Sequence, residues 1–122
     1  MATIELGAES FEGTITDNEM VLVDFWAAWC GPCGRFAPVY EQASSEHPDV
    51  VFGKVDTQTE QSLAAAAGIT SIPTLMAFKH GSLVFSRPGA LPADALAQVV
   101  TAVRGLDIEQ IRPVNEESRR AR

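Results

Sequence analysis

One stretch limits what this chain can fold into more than any other: Val21–Cys33, which reads V-L-V-D-F-W-A-A-W-C-G-P-C. Val21–Trp26 has the length and the β-branched and aromatic content of a strand buried on both faces. Asp24 interrupts it, and a carboxyl in such a place is costly unless something uses it. The run ends in Cys30 and Cys33, the only two cysteines of the chain, with Gly31-Pro32 between them. A buried strand that breaks off into a helix opened by two thiols implies an α/β layout with chemistry at the strand end.

The spacing sets what those thiols can do. Three residues apart at a helix start, they can close a disulfide through one turn with little backbone movement. Cys30 would lie at the helix N-terminus, where free N–H groups and the macrodipole favour an anion. That setting lowers a thiol pKa from its usual value of about 8.5, so thiolate is present near neutrality. Pro32 suits a first helical turn, where its missing N–H is not needed, and Gly31 leaves room for an approaching disulfide. Cys30 is therefore expected to be the nucleophile and Cys33 the thiol that resolves a mixed disulfide. Two bland readings compete, a small buried hydrophobe and a zinc ligand pair. A closed zinc site needs four ligands, and His47 and His80, the only histidines, belong to a helix end and a hairpin tip.

The rest of the chain completes the layers. A short strand is expected near Thr3–Leu6, a helix around Ala8–Gly13 and a turn through Thr16–Asn18. The cysteine helix should run to Glu46, bent by Pro38 and ended by His47-Pro48; Phe36, Val39, Tyr40 and Ala43 recur on one face. Asp49–Asp56 reads as a second central strand. Thr57 and Glu60 have the spacing of a capping box for a helix over Glu60–Ala67, stopped by Gly68. Thr74–Lys79 and Ser82–Arg87 form a hairpin across His80-Gly81, and Pro92–Arg104 is a last amphipathic helix. The order implies a parallel βαβ unit followed by an antiparallel pair in one layered α/β domain.

Charge and composition exclude some partners. The formal net charge of −7 falls wholly on residues 1–104, because the four acidic and four arginine residues of 105–122 cancel. An acidic body argues against nucleic acid and anionic membrane as partners. No apolar run approaches the roughly eighteen residues of a membrane span, and the first residues lack a signal-peptide pattern. A cytoplasmic monomer is the expectation.

W-C-G-P-C, the Asp24 strand, the K-V-D strand at Lys54, G-I-T-S-I-P-T, and the F-K-H-G hairpin followed by P-G-A together resemble the thioredoxin family over about residues 3–106. The resemblance implies a three-layer thioredoxin fold, a central mixed β-sheet flanked by helices, in residues 1–106, with residues 107–122 as a flexible or partly helical extension. It implies a thiol–disulfide oxidoreductase that reduces protein disulfides through a reversible Cys30–Cys33 pair. No cofactor would be bound, and electrons would come from NADPH through a thioredoxin reductase. Asp24 would be the buried acid, its pKa raised by desolvation, handling a proton through a water beside Cys33, with Lys54 on the adjacent strand partly compensating its charge. Pro73, whose X–Pro bond would be trans on general grounds, is implied to be cis and packed against the thiols. That would leave the Ile72 backbone free to pair with an extended substrate. Trp29, Gly31, Pro32, Ile72, Pro73, Gly89 and Ala90 would form an uncharged substrate-binding patch. Three departures stand out. Gly34 occupies a position usually basic, with Arg35 after it, and is expected to weaken the tuning of Cys30; Ala67 replaces a common aromatic; Pro88 precedes Gly89. Two other readings are a thioredoxin-fold binding or scaffold module with non-catalytic cysteines, and an oxidoreductase working outside the cytosol whose leader lies outside this sequence.

Overall fold

The computed structural model describes residues 2–107. Its spine is a strand, β2 (Met20–Trp26), whose residues up to Phe25 are buried; each strand residue alternates to the opposite sheet face. Leu22 packs with Phe36 and Tyr40 on one face, and Val21, Val23 and Phe25 pack with Ile15 on the other. Such two-sided burial is why the run is apolar throughout rather than alternating.

Five strands form one sheet in the order β1-β3-β2-β4-β5, where β1 is Thr3–Glu5, β3 Val51–Asp56, β4 Thr74–Lys79 and β5 Ser82–Pro88. β1, β3 and β2 run parallel, and β4 and β5 join antiparallel. Helices α1 (Phe11–Asp17) and α3 (Gln61–Ala66) lie on the Val21–Phe25 side. Helices α2 (Gly31–Glu46) and α4 (Ala93–Gly105) cover the Leu22 side with Phe36, Tyr40, Leu96, Val100 and Val103. The parallel unit, the antiparallel pair and the three layers are those the sequence implied.

Most boundaries agree to within a residue, and three local readings differ in substance. The first helix begins at Phe11, because the Gly7 carbonyl accepts the N–H groups of Ser10 and Phe11 and holds residues 7–10 as a turn. It continues through Thr16 to Asp17, since burying Ile15 outweighs the helix penalty of Gly13. The capping box does not form. Thr57 Oγ1 instead donates to the Trp26 carbonyl, and Glu60 accepts the Ala8 N–H, so side chains that could have capped α3 tie it to the sheet and to the loop after β1. β3 starts at Val51, because the Val50 N–H bonds to the His47 carbonyl and makes residues 47–50 a turn.

The hairpin and the last helix are locked together. His80 and Gly81 both have positive φ, 51° and 81°, as a two-residue turn of matching twist requires. The preceding Lys79 is 4% exposed, and its Nζ donates to the carbonyls of Val103, Arg104 and Leu106. A cation thus satisfies the orphan acceptors at the negative end of α4. Lys79→Met keeps the bulk and strands those carbonyls. It should cost about 2–3 kcal/mol, read as a lower urea midpoint with an unchanged slope.

Candidate active site

The chain leaves β2 at Trp26 and enters α2 five residues later. Cys30 caps that helix in extended conformation, and its Sγ accepts the Cys33 N–H at 3.2 Å. Cys30 and Cys33 are joined by a disulfide, their Cα atoms 5.2 Å apart, which is ordinary for such a bridge. The backbone donor aimed at the Cys30 sulfur is the feature that would stabilise a thiolate once the bridge opens. Gly34, the expected weakness, adds its own N–H to the Cys30 carbonyl, while the guanidinium of Arg35 folds back over Gly31.

Around the sulfurs the structure gathers residues from three distant segments. The Ile72–Pro73 bond is cis, and the Ile72 carbonyl lies 3.8 Å from Cys30 Sγ. Gly89, at φ 101°, donates its N–H to the Pro73 carbonyl at 2.7 Å, which draws Gly89 and Ala90 alongside. Pro73 is buried; Gly31, Pro32, Gly89 and Ala90 are exposed, and Trp29 is 67% exposed. Every residue of the expected uncharged patch is thus placed near the thiols or tied to a segment that is. Sequence reasoning missed how far that surface extends. A groove of about 530 Å³ runs from Trp29 and Ile72 along Ile69 to Ala64, Ala65 and Gln61 on α3. Its signal was the alanine run Ala64–Ala67, which reads from sequence only as helix filler.

Behind the disulfide lies Asp24, 1% exposed, with Lys54 opposite it in the β2–β3 register. Alternation puts Leu22, Asp24 and Trp26 on the face covered by α2. Burial pushes the Asp24 pKa from 3.8 up to about 7, against the pull of Lys54 and with a further push from Glu5. Its Oδ1 and the Nε1 of Trp26 are the buried side-chain polar atoms without a hydrogen-bond partner among the described residues. Both belong to one strand and one face, beside the cysteines, and native cores rarely tolerate such atoms without a use for them. Lys54 Nζ sits 4.9 Å above the Trp26 ring, so it is held as a cation on an aromatic face and not as a freely solvated side chain. Among the described residues no group of three or more His, Cys, Asp or Glu could hold a metal ion, and no helix is long and apolar enough to cross a membrane.

Comparison with known proteins points one way. A family model described as thioredoxin matches residues 2–102. A Streptomyces coelicolor protein named as a thioredoxin 2 is 55% identical over 111 residues, covering 91% of this chain and 83% of its own length. A thioredoxin of Synechocystis is 43% identical over 101 residues, 81% of this chain and 94% of its own. The solved structure of a Plasmodium falciparum thioredoxin superposes with a TM-score of 0.76 at 40% identity, covering 82% of this chain and 97% of the other.

The buried acid has a consequence for stability with a definite sign. Between pH 3.8 and about 7 the folded protein holds a proton on Asp24 that the unfolded chain has lost. Stability therefore falls as pH rises through that window and is flat above it. Asp24→Asn removes the titration. It should add little at pH 4 and up to about 4 kcal/mol at pH 8, measured by urea unfolding of the oxidised protein. An equal gain at both pH values would remove the assigned pKa.

Proposed function

We propose, from the premise that this chain belongs to the thioredoxin family, a division of labour for its thiol–disulfide oxidoreductase activity. The protein reduces disulfides in other proteins. Cys30 acts as nucleophile: its thiolate attacks a substrate disulfide, forms a mixed disulfide and releases one substrate thiolate, which takes up a proton. Cys33 then loses its proton and attacks Cys30 Sγ, which releases the second substrate thiol and leaves the Cys30–Cys33 bridge. Two electrons have passed to the substrate, and no atom is left over. The observation that carries the assignment is the Cys33 N–H aimed at Cys30 Sγ, a preformed donor for the nucleophile of the pair.

Asp24 is the proton acceptor for Cys33, through a water between them. A carboxyl held at about pH 7 changes protonation under working conditions, as a general base must. Lys54 opposes full desolvation of that carboxylate. Trp29, Gly31, Pro32, Ile72, Pro73, Gly89 and Ala90 receive the substrate, whose extended chain pairs with the backbone at Ile72. A thioredoxin reductase, drawing on NADPH, returns the bridge to the dithiol; this chain itself needs no bound cofactor. We place the protein in the cytoplasm as a monomer, with residues 1–106 as the catalytic domain. The proposed extension, 107–122, lies outside the described residues from 108 onward.

Turnover tests the scheme. Insulin reduction coupled to a reductase and NADPH should be lost in Cys30→Ser; retained turnover would leave a scaffold with idle cysteines. Cys33→Ser should accumulate mixed disulfides, visible as adducts on non-reducing gels. Asp24→Asn should slow reduction and flatten its pH profile around 7.

A further inference from the structure

We propose that Glu5, on the outermost strand β1, is a positioning residue that sets the proton affinity of Asp24 by competing with it for Lys54. Glu5 pairs with Lys54 across β1–β3, and Lys54 pairs with Asp24 across β3–β2. Strands paired in parallel register present paired residues on one face, so the three side chains form a row on the α2 side of the sheet: carboxylate, ammonium, carboxylate. The row runs from an exposed edge, where Glu5 sits, through half-buried Lys54, to an Asp24 that is almost fully enclosed.

Lys54 has one positive charge and two carboxylates beside it. Among the described residues no ion pair within 4.0 Å joins it to either, and its Nζ lies 4.9 Å from the centre of the Trp26 ring. The ammonium lies in line with both carboxylates, with Asp24 on its inward side and Glu5 on its outward, exposed side. The outward seat is solvated, so it avoids the desolvation that full approach to Asp24 would require. Glu5 therefore competes with Asp24 for the cation, and Asp24 Oδ1 has no hydrogen-bond partner among the described residues. Charge repulsion between the two carboxylates acts in the same direction, as the push of Glu5 on the Asp24 pKa indicates.

The other groups around Asp24 do not duplicate this. Across β2–β4 it faces Leu75, which carries no charge. From α2 it faces Tyr40, whose hydroxyl donates to the Gly53 carbonyl and whose pKa burial and the charges of Asp24 and Glu41 push well up, so it stays protonated. Glu41 is engaged by the Thr3 hydroxyl, and Asp56 pairs beside Trp26, where it caps the following turn through the N–H groups of Gln58 and Thr59. Glu5 is the remaining carboxylate in line with Lys54.

The inference rests on Asp24 as the proton-handling group, and its test is read on that group directly. The carboxyl carbon of Asp24 is titrated by NMR in the oxidised protein, where the cysteines do not ionise, in wild type, Glu5→Gln, Lys54→Met and the double variant. At low salt, Glu5→Gln should titrate about 0.3–0.5 pH unit lower than wild type, the size expected of an exposed charge acting through one neighbour. The difference should shrink in 0.5 M salt. In the Lys54→Met background, Glu5→Gln should shift Asp24 by less than half as much, with Lys54→Gln as the alternative background if the methionine variant unfolds. An unchanged Asp24 titration in Glu5→Gln would overturn the proposal, and so would a shift of equal size with and without Lys54. Either failure leaves the insulin-reduction test of the preceding section untouched.

Discussion

The structure depends on a carboxyl group placed inside a strand that is buried on both faces. Strand β2 must be apolar to sit between two helical layers, and Asp24 is enclosed with only 1% of its surface exposed. Burial disfavours its charge, so the proton stays on up to about pH 7, where most carboxyls are already ionised. The same enclosure makes it a burden on stability above that pH. A buried group that costs stability in this way is a conflict expected at active sites and few other places.

The disulfide end of β2 uses the opposite device. Cys30 leaves the sheet and turns into the helix start, where a backbone N–H supplies positive potential without burial of a charge. One thiol thus sits in a field that favours its anion, while the acid behind it sits in a medium that disfavours its own. The short connection from Trp26 to Gly31 keeps the two within reach, and Thr57 pins its start through the Trp26 carbonyl.

Much of this was readable from residue order. Buried strands, helix faces and the hairpin announce themselves through period and turn residues, and β2, β4, α2 and the His80-Gly81 turn follow that reading closely. The misses share a cause. Thr57 and Glu60 have the spacing of a cap, yet each found a better partner outside its own helix, in the Trp26 carbonyl and the Ala8 N–H. Local patterns cannot report such competition. Likewise the Ala64–Ala65 wall of the groove beside Trp29 carries no chemical signal of its own; small side chains matter there only because Trp29 and Ile72 stand across from them.

By itself the sequence determined the reacting pair, the buried acid and the order of layers, because spacing, periodicity and turn chemistry act between near neighbours in the chain. Only the tertiary structure decided which distant residues meet them. Ile72 comes within 3.8 Å of Cys30 from forty-two positions away, and Glu5 lines up with Asp24 through Lys54. Those meetings follow from strand order and register, and a shift of one residue in either pairing would turn the side chains to the opposite face of the sheet.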